Sequence, residues 1–220
     1  TPMQDWIDQL KGRFLVFDGP DGSGKTTQFR RLAAWLTEQG LDVVEVREPG
    51  GTPIGEQIRS ILLDTANAEM TVCCEMLLYM ASRSQLVDEL ITPARKRGAV
   101  VLADRFISST LAYQGTAGGL DREHIISIGQ IVVGDQWPDC TIIFDVDSTT
   151  AAIRRGGDSD RMEEKGQAYQ DRVRDGYLEQ IREDPEGTIL IDASPPEDQV
   201  FDQLLQSVRA FVTQRTASSS

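Results

Sequence analysis

Gly19-Pro20-Asp21-Gly22-Ser23-Gly24-Lys25-Thr26 decides how the rest of the chain reads. Its spacing is G-x-x-x-x-G-K-T. An apolar run, Phe14-Leu15-Val16-Phe17, precedes it, and an amphipathic segment starts near Thr27. A strand, a Gly-rich turn and a helix start form the context in which this spacing binds phosphate. Backbone N–H groups of such a turn point inward around an anion, and the helix N-terminus adds partial positive charge. Gly19, Pro20, Asp21, Gly22, Ser23, Gly24, Lys25, Thr26 and Thr27 are therefore the candidate triphosphate contacts. Lys25 suits the β- and γ-phosphates, and the Thr26 hydroxyl suits Mg²⁺.

Outward from this loop the chain alternates. A short amphipathic helix is expected over 5–12, from Trp6, Ile7 and Leu10. Strands are expected at 13–18, 42–47, 99–103, 141–146 and 188–191. Helices are expected at 25–39, 53–64, 71–97, 121–133, 163–183 and 197–213, with further helical stretches before 115 and before 154. On the 71–97 helix, Val72, Met76, Leu77, Met80, Leu86, Leu90 and Ile91 read as the core face. On 53–64, Ile54, Ile58, Ile61 and Leu62 do. Apolar strands alternating with helices predict an α/β fold: a five-stranded parallel sheet wrapped by helices, in one domain over 1–215. Ligands of such sheets bind at the carboxyl ends of the strands. The tail 216–220 is small and polar and reads as disordered.

Composition narrows the partners. The 220 residues carry a net charge of −13, which argues against a nucleic-acid surface or an anionic membrane. A nucleotide ligand needs only a local basic cluster. No apolar run is long enough to span a bilayer, and the N-terminus lacks the pattern of a signal peptide. Cys73, Cys74 and Cys140 show no metal spacing and read as buried free thiols, in keeping with a cytoplasmic location. His124 stands outside every cluster and reads as structural.

Four constellations carry chemistry. Asp104 closes an apolar strand, where a carboxylate either holds Mg²⁺ or simply ends the strand. Arg105 beside it suits a second anionic group, because a guanidinium fork binds phosphate bidentately. Arg154, Arg155 and Arg161 flank Gly156-Gly157 and read as a lid over about 154–164, or as a solvated basic turn. Asp21 is a poor neighbour for triphosphate. It either faces solvent or accepts a hydroxyl of a second substrate. Tyr79 and Arg83, four apart, could stack on and bond a base, or be core and rim.

Phe17-Asp18-Gly19 through Thr27, Arg47-Glu48-Pro49-Gly50-Gly51-Thr52, Tyr79-Met80-Ala81-Ser82-Arg83, Asp104-Arg105-Phe106…Ser109-Thr110-Leu111-Ala112-Tyr113-Gln114-Gly115 and Pro138-Asp139-Cys140-Thr141 resemble bacterial thymidylate kinases. The resemblance covers about 13–212, and the Asp104–Gly115 string is its most specific part. It implies the nucleoside monophosphate kinase version of the fold, Mg²⁺, and γ-phosphoryl transfer from ATP to dTMP, giving dTDP in a homodimer. By position, Asp21 matches the acceptor of the 3′-hydroxyl and Arg105 the grip on the dTMP phosphate, with Arg47 and Arg59 helping. Tyr79 matches the ring that stacks on thymine, Arg83 the contact to O4, and Thr110 the group near N3. Tyr113 crowds a 2′-hydroxyl, while Pro49, Ser109 and Gln114 line the same pocket. Lys25, Arg105 and a lid cation would carry catalysis. The phosphate loop holds no Arg, so the lid must supply it, and Arg155 is the first choice ahead of Arg154 and Arg161. The rivals are a sister nucleotide or nucleoside kinase and a nucleotide-regulated binding switch. The chain has no Asn-Lys-x-Asp guanine motif, which weakens the second.

Overall fold

The computed structural model describes residues 6–155, 161–162 and 165–218. Most of the expected lid, and the last two residues of the expected tail, lie outside the described residues.

Five strands form one parallel sheet in the order β2-β3-β1-β4-β5. They are β1 Phe14–Asp18, β2 Val43–Arg47, β3 Val100–Asp104, β4 Cys140–Asp145 and β5 Thr188–Asp192. Side chains alternate between faces along a strand, so each face gathers its own core. Leu15 and Phe17 point into one cluster with Leu32, Leu36, Leu102 and Phe144. Phe14 and Val16 point into the other with Met76, Met80, Val101 and Phe106. Burial on both faces is why β1, β3 and β4 read as apolar runs.

From β1 the chain crosses past β3 to reach β2. From β3 it crosses past β1 to reach β4. The connections therefore leave the central strand in opposite directions, and a crevice opens beyond its carboxyl end. The phosphate loop follows β1 and fills that crevice. α1 (Lys25–Glu38) starts directly from it, with Gly24 at its N-cap in the left-handed region (φ 79°).

The remaining helices are α2 Pro53–Leu63, α3 Val72–Leu86, α4 Thr92–Lys96, α5 Ile107–Thr110, α6 Arg122–Val133, α7 Ser148–Arg155, α8 Gln167–Glu183 and α9 Glu197–Ser218. Trp6, Ile7 and Leu10 are buried, and Trp6 stacks on Trp35 at 5.7 Å. The sequence-expected 71–97 helix is interrupted: Val87–Ile91 is a widened π turn between α3 and α4. Pro93 accounts for it, since it offers no N–H to the turn before it. A second π turn, Leu111–Thr116, follows α5. α9 is described to Ser218, past the point where a disordered tail was expected.

Two burial expectations are corrected. Cys140 is buried, but Cys73 and Cys74 are exposed on the first turn of α3, while Glu75 and Met76 turn inward. Leu77, Ile54 and Ile61 are also about half exposed rather than core. Helices α2 and α3 thus carry apolar residues on two faces; α3 turns Met76, Met80 and Leu86 into the core under the sheet, and α2 packs on α3. Among the described residues no helix is long and apolar enough to cross a membrane.

Candidate active site

Three loops meet at the crevice because three strands end there. The β1 loop brings Asp21 and Lys25, the β2 loop Glu48 and Pro49, and the end of β3 Asp104 and Arg105. Backbone bonds lock the ends in register: Arg105 N donates to Phe17 O at 2.9 Å, and Glu48 N to Asp104 O at 3.0 Å.

The phosphate loop depends on backbone that only glycine adopts readily. Gly19 has φ 137°, and a Cβ there would overlap the Phe144 carbonyl. Lys25 is buried to 6% exposure, with Nζ 3.9 Å from Asp21 Oδ1. Burial and then Arg105 lower its pKa, while Asp21, Asp104 and Asp18 pull the other way. Thr26 Oγ1 donates to Asp104 Oδ2 at 2.9 Å, so the two oxygens expected to face a metal stand side by side. Two hard oxygen donors, completed by phosphate oxygens and water, fit Mg²⁺.

Between the phosphate loop and helices α2, α3 and α5 lies a cavity of about 150 Å³. Asp21, Pro49, Arg59, Tyr79, Arg83, Arg105, Ser109, Thr110, Tyr113 and Gln114 all line it. Of the residues expected around the acceptor, only Arg47 is elsewhere. Its guanidinium bonds both oxygens of Glu56 at 2.8 and 2.9 Å and the Pro49 carbonyl at 3.0 Å. It lines a different hollow with Thr26 and Asp104.

Arg105 is the hub. Its Nη2 donates to Asp21, and its Nη1 reaches Ser109 Oγ at 3.0 Å and Tyr177 Oη at 3.2 Å. Its φ of 71° is the one positive value at a non-glycine among the described residues, a conformation costing about 1–2 kcal/mol. Burial would raise the Asp21 pKa. Arg105, Lys25 and the Tyr113 hydroxyl, which donates at 2.8 Å, instead hold it at about 2.

Beneath this hub lies a layer the sequence reading missed. Asp18 Oδ1 accepts from Tyr177 Oη at 2.6 Å and Ser109 Oγ at 2.7 Å. Glu48 accepts three bonds from Arg83, the shortest at 2.6 Å, and burial lifts its carboxyl to about 7 against Arg83's pull. Glu75 accepts from Gln114, Arg161 and Lys165. Asp18 and Glu75 had a visible signal, a carboxylate at the end of one apolar run and inside another. Tyr177 had none.

Lid arginines Arg154 and Arg161 diverge. Arg154 donates to the carbonyls of Ala193 at 2.9 Å and Ser194 at 3.5 Å. It lines a second hollow with Ser23, Gly24, Thr27 and Gln28, against the outer side of the phosphate loop. Arg161 is buried on the other side, bonded to Leu62 O at 2.7 Å and Glu75 Oε2 at 2.6 Å. The Arg155 side chain lies outside what is described.

Hollows thus lie on two sides of the phosphate loop: Asp21 and Arg105 line the first, and Ser23, Gly24 and Thr27 the second. A profile of the family described as Thymidylate kinase matches residues 17–204. The thymidylate kinase of Symbiobacterium thermophilum is 43% identical over 92% of this chain and 95% of its own. That of Pseudomonas putida is 44% identical over 89% and 97%. The crystal structure of thymidylate kinase from Ehrlichia chaffeensis superposes with a TM-score of 0.72 at 32% identity, over 88% of this chain and 96% of that one. The string from Asp104 to Gly115, the cavity it lines and these relatives agree: the chain belongs to the thymidylate kinase family.

Proposed function

We propose that the two hollows are the acceptor and donor half-sites of the thymidylate kinase reaction, in which ATP gives its γ-phosphoryl group to dTMP. The observation that carries this is the position of Asp21 between Lys25 and Arg105. Lys25 faces the donor triphosphate. Arg105 faces a second phosphate, which a nucleoside kinase would not need.

An oxygen of the dTMP phosphate attacks the γ-phosphorus in line, and the bond to the bridging β–γ oxygen breaks. Products are dTDP and ADP, with no protein nucleophile. Phosphoryl transfer asks mainly for positioning and charge neutralisation. Arg105 leaves Asp21 to grip the acceptor phosphate, and Asp21 is then available to the 3′-hydroxyl. Tyr79 stacks on thymine, Arg83 and Thr110 meet its polar edge, and Tyr113 occupies the space of a ribose 2′-hydroxyl. Thr26 and Asp104 would hold Mg²⁺, which when bound neutralises charge on the β- and γ-phosphates. Arg154 is bonded on the donor side and Arg161 to Glu75, which supports Arg155 as the lid cation at the transferring group.

A homodimer fits the exposed Ile61, Leu77 and Ile131 on α2, α3 and α6, since apolar residues left outside one chain are covered by another. Sedimentation tests it. Exposed free thiols at Cys73 and Cys74 suit the reducing cytoplasm.

The deciding assay offers dTMP, dUMP, dCMP, AMP and thymidine with ATP. Preferred turnover of dTMP supports the reading. Preference for thymidine over dTMP assigns a nucleoside kinase, and no nucleotide product assigns a binding switch.

A further inference from the structure

Glu75 sits on the first turn of α3, fully buried, and touches none of the space a nucleotide would fill. Its Oε1 accepts from Gln114 Nε2 at 2.7 Å. Its other bonds come from the far side of the lid: Arg161 Nη2 at 2.6 Å, and Lys165 Nζ at 3.1 and 3.0 Å to the two oxygens. Burial would raise the Glu75 pKa, yet Gln114, Lys165 and Arg161 keep it below the ordinary value. Glu75 is therefore an ionised carboxylate, which can only accept hydrogen bonds.

Gln114 has two ends, and they are not equivalent. Its NH₂ must face Glu75, because its carbonyl oxygen would meet two acceptor oxygens there. The carbonyl is then the end left for the cavity that Gln114 lines, and no protein donor among the described residues takes it. Arg83, buried at the same wall, offers only donors. The wall thus presents a donor beside an acceptor. A pyrimidine with a carbonyl at C4 and a hydrogen on N3 complements that pair. Cytosine, with an amino group at C4 and a lone pair at N3, opposes it at both positions.

We propose that Glu75 is a positioning residue for base selection: by fixing the Gln114 amide with its carbonyl inward, it makes the acceptor cavity require a ring N–H at N3. This rests on the reading of that cavity as the dTMP half-site. The acceptor in the wall is set by a carboxylate that meets no ligand, and that carboxylate is itself held by two cations, Arg161 of the expected lid and Lys165 just past it. A site whose buried polar groups match one base rejects the mismatched one far more strongly than an apolar pocket can.

Glu75→Gln tests it. A neutral amide can donate or accept, so Gln114 is free to turn over. The expected result is a rise in KM for dTMP of about tenfold, kcat within about threefold, and a gain in kcat/KM for dCMP. The dTMP-to-dCMP preference then falls by about tenfold or more. Glu75→Asp, which keeps the carboxylate, restores most of the preference. An unchanged preference in Glu75→Gln, with both substrates lost in parallel, overturns the proposal. If Glu75→Gln does not fold, ¹⁵N-resolved NMR of the unmodified enzyme reads the same point. The Gln114 NH₂ protons should stay slow to exchange and hardly move when dTMP is added, and a large shift showing the NH₂ at the base overturns the proposal. Failure of the unmodified enzyme to phosphorylate dTMP would instead defeat the half-site reading.

Discussion

Arg161 Nη2 lies 2.6 Å from Glu75 Oε2, and only 4% of the arginine is exposed. A cation so held braces the fold rather than waiting for a phosphoryl group. Removing one partner of a buried pair costs about 3–5 kcal/mol, and Lys165 remains to soften the loss. Arg161→Met should lower the unfolding free energy by about 3 kcal/mol in urea melts, with kcat reduced much less than stability implies. A drop in kcat of about 100-fold at unchanged stability would return Arg161 to the catalytic lid.

Asp21→Asn separates the two half-sites. The KM for dTMP should rise about tenfold, while ATP affinity measured by calorimetry should change little. Equal loss of both counts against the two-sided role. The same variant has a pH signature. Asp21 falls from 3.8 to about 2 on folding, so its contribution is present above about pH 4 and is lost as pH falls through about 2. Acid unfolding of Asp21→Asn should lack that part of the limb.

Lys25→Met should lower kcat by about 100-fold or more, as loss of a preorganised charge does, with dTMP binding kept. In the unmodified enzyme the alkaline limb of kcat/KM for ATP should set in below the usual lysine range, because burial lowers the Lys25 pKa in the free protein. A limb that does not move with this residue would remove it from the transfer step.

Tyr177→Phe deletes one oxygen. Asp18 keeps Ser109 and the Gly19 N–H, but its Oδ2 is already buried with no partner among the described residues. Stability should fall by about 1–2 kcal/mol. kcat/KM for dTMP should fall several-fold because Arg105 loses a fixed neighbour. Unchanged kinetics beside the stability loss would confine Tyr177 to the core.

Gly19→Ala and Gly24→Ala both put a side chain on positive-φ backbone, at 137° and 79°, in very different surroundings. At Gly19 the new methyl overlaps the Phe144 carbonyl, whereas at Gly24 nothing lies within 4 Å. Thermal melts should show a loss of about 3 kcal/mol or more for the first and about 1 kcal/mol for the second. Equal losses would mean that backbone strain, not contact with β4, dominates the loop.

Much of this site was legible in the chain because its residues sit in short strings on strand ends, where spacing fixes direction. Gly19–Thr26 and Asp104–Gly115 each place several groups at once. The sheet was legible from β1, β3 and β4, whose apolar runs have a single reading. The strand order was not, since nothing in a strand's own residues names its neighbour. The π turn at Leu111–Thr116 was also hidden. Its wider turn brings consecutive Tyr113 and Gln114 to the same cavity, a departure from the 3.6-residue period used to read helices. Arg47 stands apart because β2 aims it past the cavity, at Glu56, a partner nine residues on in what reads as an ordinary helix surface. Glu75 shows only as a carboxylate in an apolar run; its pairing with Gln114 across 39 residues, like that of Tyr177 with Asp18 across 159, leaves no local trace.

Position 105 answers to two selections that want different residues. The backbone at φ 71° would take glycine most easily, and on the proposed reading the acceptor phosphate needs a planar guanidinium. Glycine satisfies the chain and forfeits the grip. Lysine or glutamine keeps the strain and loses the fork. Neutral drift therefore has no first step at this position, and a library randomised there should return arginine alone under selection for growth, yet glycine among the survivors when only folding is selected.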